Sequence, residues 1–192
     1  MLTMLAAIAV LLILSAFFSG SETALTGASP PLMHPLEQKG NRRAQTVNKL
    51  QEGKGRLIGA ILIGNNLVNI LASALATSIL IGMFGEAGIA YATIIMTALV
   101  VMFAEILPKT YALQNADRTA LRIAPIIRPL VFVLSPITFA TQWVVRIALR
   151  IFGVHLHSGE DFVSKTDELR GAIELHQGEE DDETVQHERA ML

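Results

Sequence analysis

The chain has 192 residues, of which 52% are hydrophobic and only 17% charged, with a formal net charge of −2. Apolar stretches at residues 1–18, 57–83, 88–107 and roughly 123–153 alternate with charged ones at 28–56 and 155–192. Runs of about 20 apolar residues match a ~30 Å hydrocarbon core, so the expectation is an integral membrane protein rather than a soluble helical bundle. Basic residues are not interleaved with aromatics, which argues against nucleic-acid binding, and cysteine is absent, which removes disulfides, thiolate metal sites and thiol chemistry.

The first apolar run, Leu2 to Phe18, leads into Ser19-Gly20-Ser21-Glu22-Thr23. A signal peptide would carry a basic n-region and small residues before its cleavage site. Here there are no early cations, and Phe17-Phe18 precede the polar patch, so a retained membrane helix is expected over about 2–27. Ser15, Ser19, Glu22 and Thr26 recur at helical spacing and line one face, with Thr23 beside them. Hydroxyls alone on such a face serve as helix glue. Glu22 in the same stripe raises the prospect of a site.

Ala28-Ser29-Pro30-Pro31 ends this helix, and residues 34–56 form a basic connector expected to make short amphipathic helices on the membrane surface. Gly53-Lys54-Gly55-Arg56 lacks the spacing of a phosphate loop and reads as a solvated segment facing anionic lipid.

The second spanning helix is expected over 57–83. Its centre, Gly64-Asn65-Asn66-Leu67-Val68-Asn69, places three carboxamides at membrane depth. Asn66, Asn69, Ser73 and Thr77 form one stripe, and Asn65 shares the face of Asn69. A single buried Asn bonds across helices for under about 2 kcal/mol. Three near a glycine favour a functional centre, since polar groups inside a membrane are costly unless something polar meets them.

A turn without Lys or Arg, Gly82 to Gly88, leads to a third helix expected over about 88–112, with the single carboxylate Glu105. Pro108 lacks an N–H and leaves the carbonyl of Ala104 without its α-helical donor, so Glu105 sits beside a free backbone oxygen suited to a cation. The competing reading is an i, i+4 ion pair of Glu105 with Lys109.

Lys and Arg gather in 34–56 and 109–128, two segments expected as cytoplasmic loops, while the 84–88 turn faces outside. That gives an outside N-terminus and three crossings. Residues 123–153 hold Pro125, Pro129 and Pro136 with flanking arginines, which fits a kinked helix lying in the cytoplasmic interface or partly re-entering. A polar, acidic segment, 154–192, follows. Asp167 to His176, closed by Gly178, reads as a short helix, and Glu179 to Glu183 opens another that the chain leaves short, as in a piece of a longer protein. His155 and His157 are a weak metal signal, and the acid run lacks the alternation and central glycine of an EF-hand. The fold class expected is therefore an all-α membrane protein, with three transmembrane helices, an interfacial juxtamembrane helix and an acidic cytoplasmic helical tail.

Three segments coincide in order and spacing: Phe18-Ser19-Gly20-Ser21-Glu22-Thr23-Ala24, Gly64-Asn65-Asn66-Leu67-Val68-Asn69, and Ala104-Glu105-Ile106-Leu107-Pro108-Lys109-Thr110. Together they resemble the signature segments of the CorC/cyclin-M (CNNM) family of magnesium transporters, and Thr166 to Ile173 is similar to the acidic helices that precede that family's paired CBS domains. The resemblance implies a homodimer in the plasma (inner) membrane, each copy a three-helix domain with a belt helix, that exports Mg2+ in exchange for Na+. By the same resemblance the ligands are Ser19, Thr23, the amides of Asn65, Asn66 and Asn69, and Glu105. Ser21, Glu22, Gly64, Ser73, Ala104 and Pro108 are candidates for support or a sodium site. The CBS pair is absent from this chain, so no nucleotide is expected.

Magnesium takes an octahedron of hard oxygens at ~2.0–2.1 Å and gives up water reluctantly. Neutral oxygens with one carboxylate hold such an ion without trapping it. A non-transporting scaffold or regulator of magnesium homeostasis, with the stripes as helix glue, is the alternative. An intramembrane protease built on Ser19 and His34 has no nucleophile elbow to support it, so no enzyme activity is expected.

Overall fold

A computed structural model describes residues 1–151. The acidic tail from 154 on, with its two expected helices and His155 and His157, lies outside the described residues. The chain divides into two compact units after Gln142, and the helical core belongs to the first, Met1–Gln142.

Every described element is helical. Helix α1 spans Leu2–Gly27; it stops where Ala28 and Ser29 turn extended, and Pro30 then opens α2, Pro30–Gln38, at the one helical position where a missing N–H costs nothing. Asn41 starts α3, Arg42–Glu52, by accepting from the backbone N–H groups of Arg43 and Ala44 at 3.0 and 3.3 Å. The connector thus forms two short amphipathic helices, as expected. Helix α4, Lys54–Phe84, begins one turn before the apolar run and ends at Gly85, whose φ of +61° suits glycine. The third crossing is segmented: α5, Ala87–Leu99, a π-helical stretch at Val100–Ile106, and α6, Leu107–Gln114.

Residues 109–128 are not a loop. Only Asn115 separates α6 from α7, Ala116–Ile151, because Asp117 and the stripe Ala120, Ala124, Ile127 give this segment a helical start and a face to bury. Nor do the prolines interrupt α7. Pro125, Pro129 and Pro136 share one exposed face, so the lost backbone bonds lie on a single side while the opposite face packs without a break. Four helical segments, Leu2–Gly27, Lys54–Phe84, Ala87–Gln114 and Ala116–Leu149, are long and apolar enough to cross a membrane, one more than the expected three.

Between lipid-embedded helices there is no net hydrophobic drive, and close packing and interhelical hydrogen bonds hold them together. The contact faces are accordingly small: Ala24, Ala60, Ala72, Ala104 and Ala124 are fully buried. Helix α4 runs antiparallel to α1, with Leu57 and Ile61 sharing a cluster with Leu25 and Phe18, while Ala72 and Ala76 cluster with Ile8. The third crossing runs alongside α1 in step. Met96 clusters with Ile8, Pro108 lies against Gly20, and Ala116 against Gly27. At the basic end, Met33, Ala44, Val47 and Leu50 from α2 and α3 join Ala120, Ala124 and Ile127 of α7 in one core. Gln51 ties this layer to α1, donating to the carbonyls of Leu25 and Ala28 at 2.9 and 3.0 Å. Those are α1's terminal acceptors, which have no partner inside their own helix. Asp117 does the same for α2, accepting from the Ser29 N–H at 2.8 Å.

Candidate ion site between three helices

The polar stripe of α1 meets the carboxamides of α4 directly. The Ser15 hydroxyl donates to Asn65 Oδ1 at 2.7 Å, with both side chains buried, and Asn69 Nδ2 approaches the same oxygen at 3.5 Å. Gly64 sits where this contact needs it. A Cβ there would lie 2.8 Å from the Phe18 ring, so glycine lets α1 and α4 close on each other.

One turn along α1, Ser19 and Ser21 are buried, and neither hydroxyl has a hydrogen-bond partner. The Asn69 Oδ1 oxygen is likewise buried and unpaired. Unsatisfied buried polar atoms cost about 1–3 kcal/mol each, and a bound water or ion is the usual way such a cost is met. Thr23 is half-buried, and its hydroxyl bonds back to the Ser19 carbonyl at 3.3 Å.

Glu105 lies in the π-helical stretch, at the level of the Ser15–Ser19 turn by the register of the third crossing against α1. Pro108 ends this widened turn. The Leu107 N–H bonds to the Met102 carbonyl, the last π-type bond, after which Pro108 has no N–H for either Phe103 or Ala104. Single π turns recur at functional sites. The i, i+4 pair of Glu105 with Lys109 does not form. Lys109 instead stands 3.9 Å from Glu22 on α1, the one ion pair among the described residues, and Glu105 is half-buried with no such partner. Glu22 is thereby engaged at the rim.

Asn66 is exposed and faces away from Ser15, into a groove of about 460 Å³ between α4 and α5. Asn69 and Ser73 line the same groove, and Thr93 and Thr97 supply its far wall. Asn69 therefore borders both the α1 contact and the groove. No three His, Asp or Glu residues gather into a metal cluster among the described residues. The oxygens on offer are hydroxyls, amides, backbone carbonyls and one carboxylate. Ser15, Asn65 and Asn69 come together. Ser19 lies one turn further along α1, on the other side of the Ser15–Asn65 bond from Asn69, and Glu105 is level with that turn, while Asn66 and Ser73 belong to the groove. Ser15 was visible in the α1 stripe, but only its bond to Asn65 marks it as part of the centre. The threonines of α5 were missed in the sequence; their i, i+4 spacing within an apolar run was the only signal they offered.

A model of the cyclin M transmembrane N-terminal domain matches residues 6–187. The chain belongs to this family. Its cyclin M relatives include the inner membrane protein YfjD of Escherichia coli K12, 40% identical over 141 residues, which are 73% of this chain and 33% of YfjD. A Haemophilus influenzae protein of the same group is 36% identical over 162 residues, covering 84% of this chain and 38% of that protein. A more distant Haemophilus influenzae relative, 29% identical over 161 residues (77% of this chain, 37% of that protein), bears the name polyamine export protein. The chain thus spans about a third of the length of these relatives, 33–38%. This cyclin M domain is a multi-pass integral membrane protein.

Proposed function

We propose that this domain carries a largely dehydrated divalent cation, magnesium, across the membrane, in exchange for sodium, through the centre built by Ser19, Asn65, Asn69 and Glu105. The observation that carries the reading is the pair of buried oxygens without partners that flank the Ser15–Asn65 bond, Ser19 Oγ and Asn69 Oδ1, with a half-buried carboxylate in a widened helical turn at the level of Ser15–Ser19. Oxygens of this kind suit a hard cation, and a single carboxylate lets the ion leave again. Thr23, half-buried one turn from Ser19, is the next ligand as its hydroxyl swings off the Ser19 carbonyl. The centre joins the groove through Asn69, which gives an ion a polar route along Ser73 and the α5 threonines.

On this reading the basic layer of α2 and α3 faces the cytoplasm, the N-terminus lies outside, and α7 belts the basic layer in the interface, packed on α2 and α3 rather than crossing. A second copy of the chain pairs with the first. Conformational change, with no covalent chemistry, exposes the centre to alternate sides.

A polyamine is the second cargo. It is favoured by the names of two relatives, 29% and 26% identical, and by the groove, whose oxygen-bearing side chains recur along its length as the amines of an extended polycation would require. Calorimetry on the purified protein distinguishes the readings. Magnesium heat that calcium and sodium compete for, and spermidine does not, supports the first, and spermidine heat without magnesium heat supports the second. A protein that takes neither, yet loses dimer stability on Asn65→Ala, is a scaffold.

A further inference from the structure

We propose that a basic cleft between α3, α4 and α7 binds the phosphate headgroup of an anionic phospholipid. The cleft, about 210 Å³, takes one cation from each helix: Lys49, Arg56 and Arg128. It has no acidic residue in its lining, and none of the three cations has a carboxylate within ion-pair distance among the described residues. Lys49, Arg56 and Arg128 all reach solvent, and three like charges lining one cavity give it a positive potential that favours an anion.

The fold imposes the convergence. Thr138 of α7 packs over Gly59, at 3.3 Å from where a Cβ would be, and Gln142 over Gly55 at the same distance. These contacts bracket Arg56 on α4. Leu50, one residue from Lys49, is buried in the core that also holds Ile127, the neighbour of Arg128. The three cations are therefore fixed to packed backbone. Two are guanidiniums, whose forked donors match a phosphate, and Ser135 adds a hydroxyl to the lining.

A lipid, rather than free phosphate, fits the rest of the cleft. Val131 and Phe132 form an apolar flank, and Phe132 is 81% exposed. That flank continues along α7 into the exposed Ile126 and Val133. A soluble anion leaves this surface uncovered, whereas an acyl chain lies along it. Charge at one end and apolar surface at the other is the pattern of a single bound phospholipid at the membrane boundary. The inference stands apart from the transport reading, since it needs only the membrane setting.

Native mass spectrometry of the full chain, delipidated in a neutral detergent, tests it. The protein is offered equimolar phosphatidylglycerol and phosphatidylcholine, and separately inorganic phosphate. One phosphatidylglycerol is expected to be retained in preference to phosphatidylcholine. Arg56→Gln or Arg128→Gln should each weaken that preference about five-fold. The double variant should abolish it, Arg128→Lys should keep part of it, and Arg118→Gln, outside the cleft, should leave it unchanged. The Arg118→Gln and Arg128→Lys variants guard against a mere folding defect. Equal retention of both lipids overturns the proposal. So does a preference that survives in the double variant, or inorganic phosphate that binds through Arg56 and Arg128 while lipid does not.

Discussion

The Ser15 hydroxyl of α1 and the Asn65 amide oxygen of α4, 2.7 Å apart and both buried, join two helices that lie fifty positions apart in sequence. Interhelical bonds of this kind contribute about 0.6–1.7 kcal/mol in membranes. Ser15→Ala should therefore lower stability in detergent by about 1 kcal/mol. Asn65→Leu should cost more, because it also removes the acceptor facing Asn69 and leaves the Ser15 hydroxyl unpaired. Denaturant unfolding followed by helicity reads both effects.

Gly64 faces the Phe18 ring so closely that a methyl group would stand 2.8 Å from it. Gly64→Ala is expected to push α1 off α4 and to destabilise by about 1–3 kcal/mol, the range for overpacking. Phe18→Leu in the same chain should recover most of that loss, which a double-mutant cycle measures. Strict additivity of the two changes would contradict the contact.

Gln51 supplies two donors to the end of α1. Gln51→Leu keeps the volume and strands the Leu25 and Ala28 carbonyls, and should destabilise by about 2 kcal/mol. Hydrogen exchange is the sharper readout, with faster exchange expected in α2 and α3 while the centre of α4 stays protected.

Pro108 holds the π turn around Glu105 open by withholding an N–H. Pro108→Ala should let the stretch tighten toward an α-helix, raising stability, since proline inside a helix costs about 3 kcal/mol relative to alanine. It should weaken cation binding at the same time. A variant more stable and equally tight for magnesium would separate the π turn from the site.

Much of this was legible in the residues because apolar length and helical spacing are local properties. The Ser15–Ser19 and Asn65–Asn69 stripes, the two amphipathic connector helices and the proline break at Pro30 follow from them. Partner choice was not legible. Lys109 is four residues from Glu105 yet reaches Glu22, because the third crossing lies in step with α1 and brings the two side chains to the same rim. The π turn was half visible: Pro108 announced a missing donor, but whether the helix kinks or widens depends on packing against α1. The prolines of α7 were read as kinks within one helix, and one helix does run through all three. What was not legible was its start at Ala116, inside a segment expected as a loop, because that depends on the buried face of Ala120, Ala124 and Ile127.

The central claim is that Ser19, Asn69 and Glu105 together hold the transported cation. Magnesium flux from proteoliposomes containing the purified protein tests it most directly, with Thr26→Ala as control, since that exposed hydroxyl bonds only its own helix. Wild type and the control should move magnesium alike, and Ser19→Ala, Asn69→Leu and Glu105→Gln should each slow it more than about tenfold, the loss of roughly one ligand-scale interaction of 1.4 kcal/mol or more. Wild-type flux in Glu105→Gln and Ser19→Ala, with the protein folded, would contradict the account.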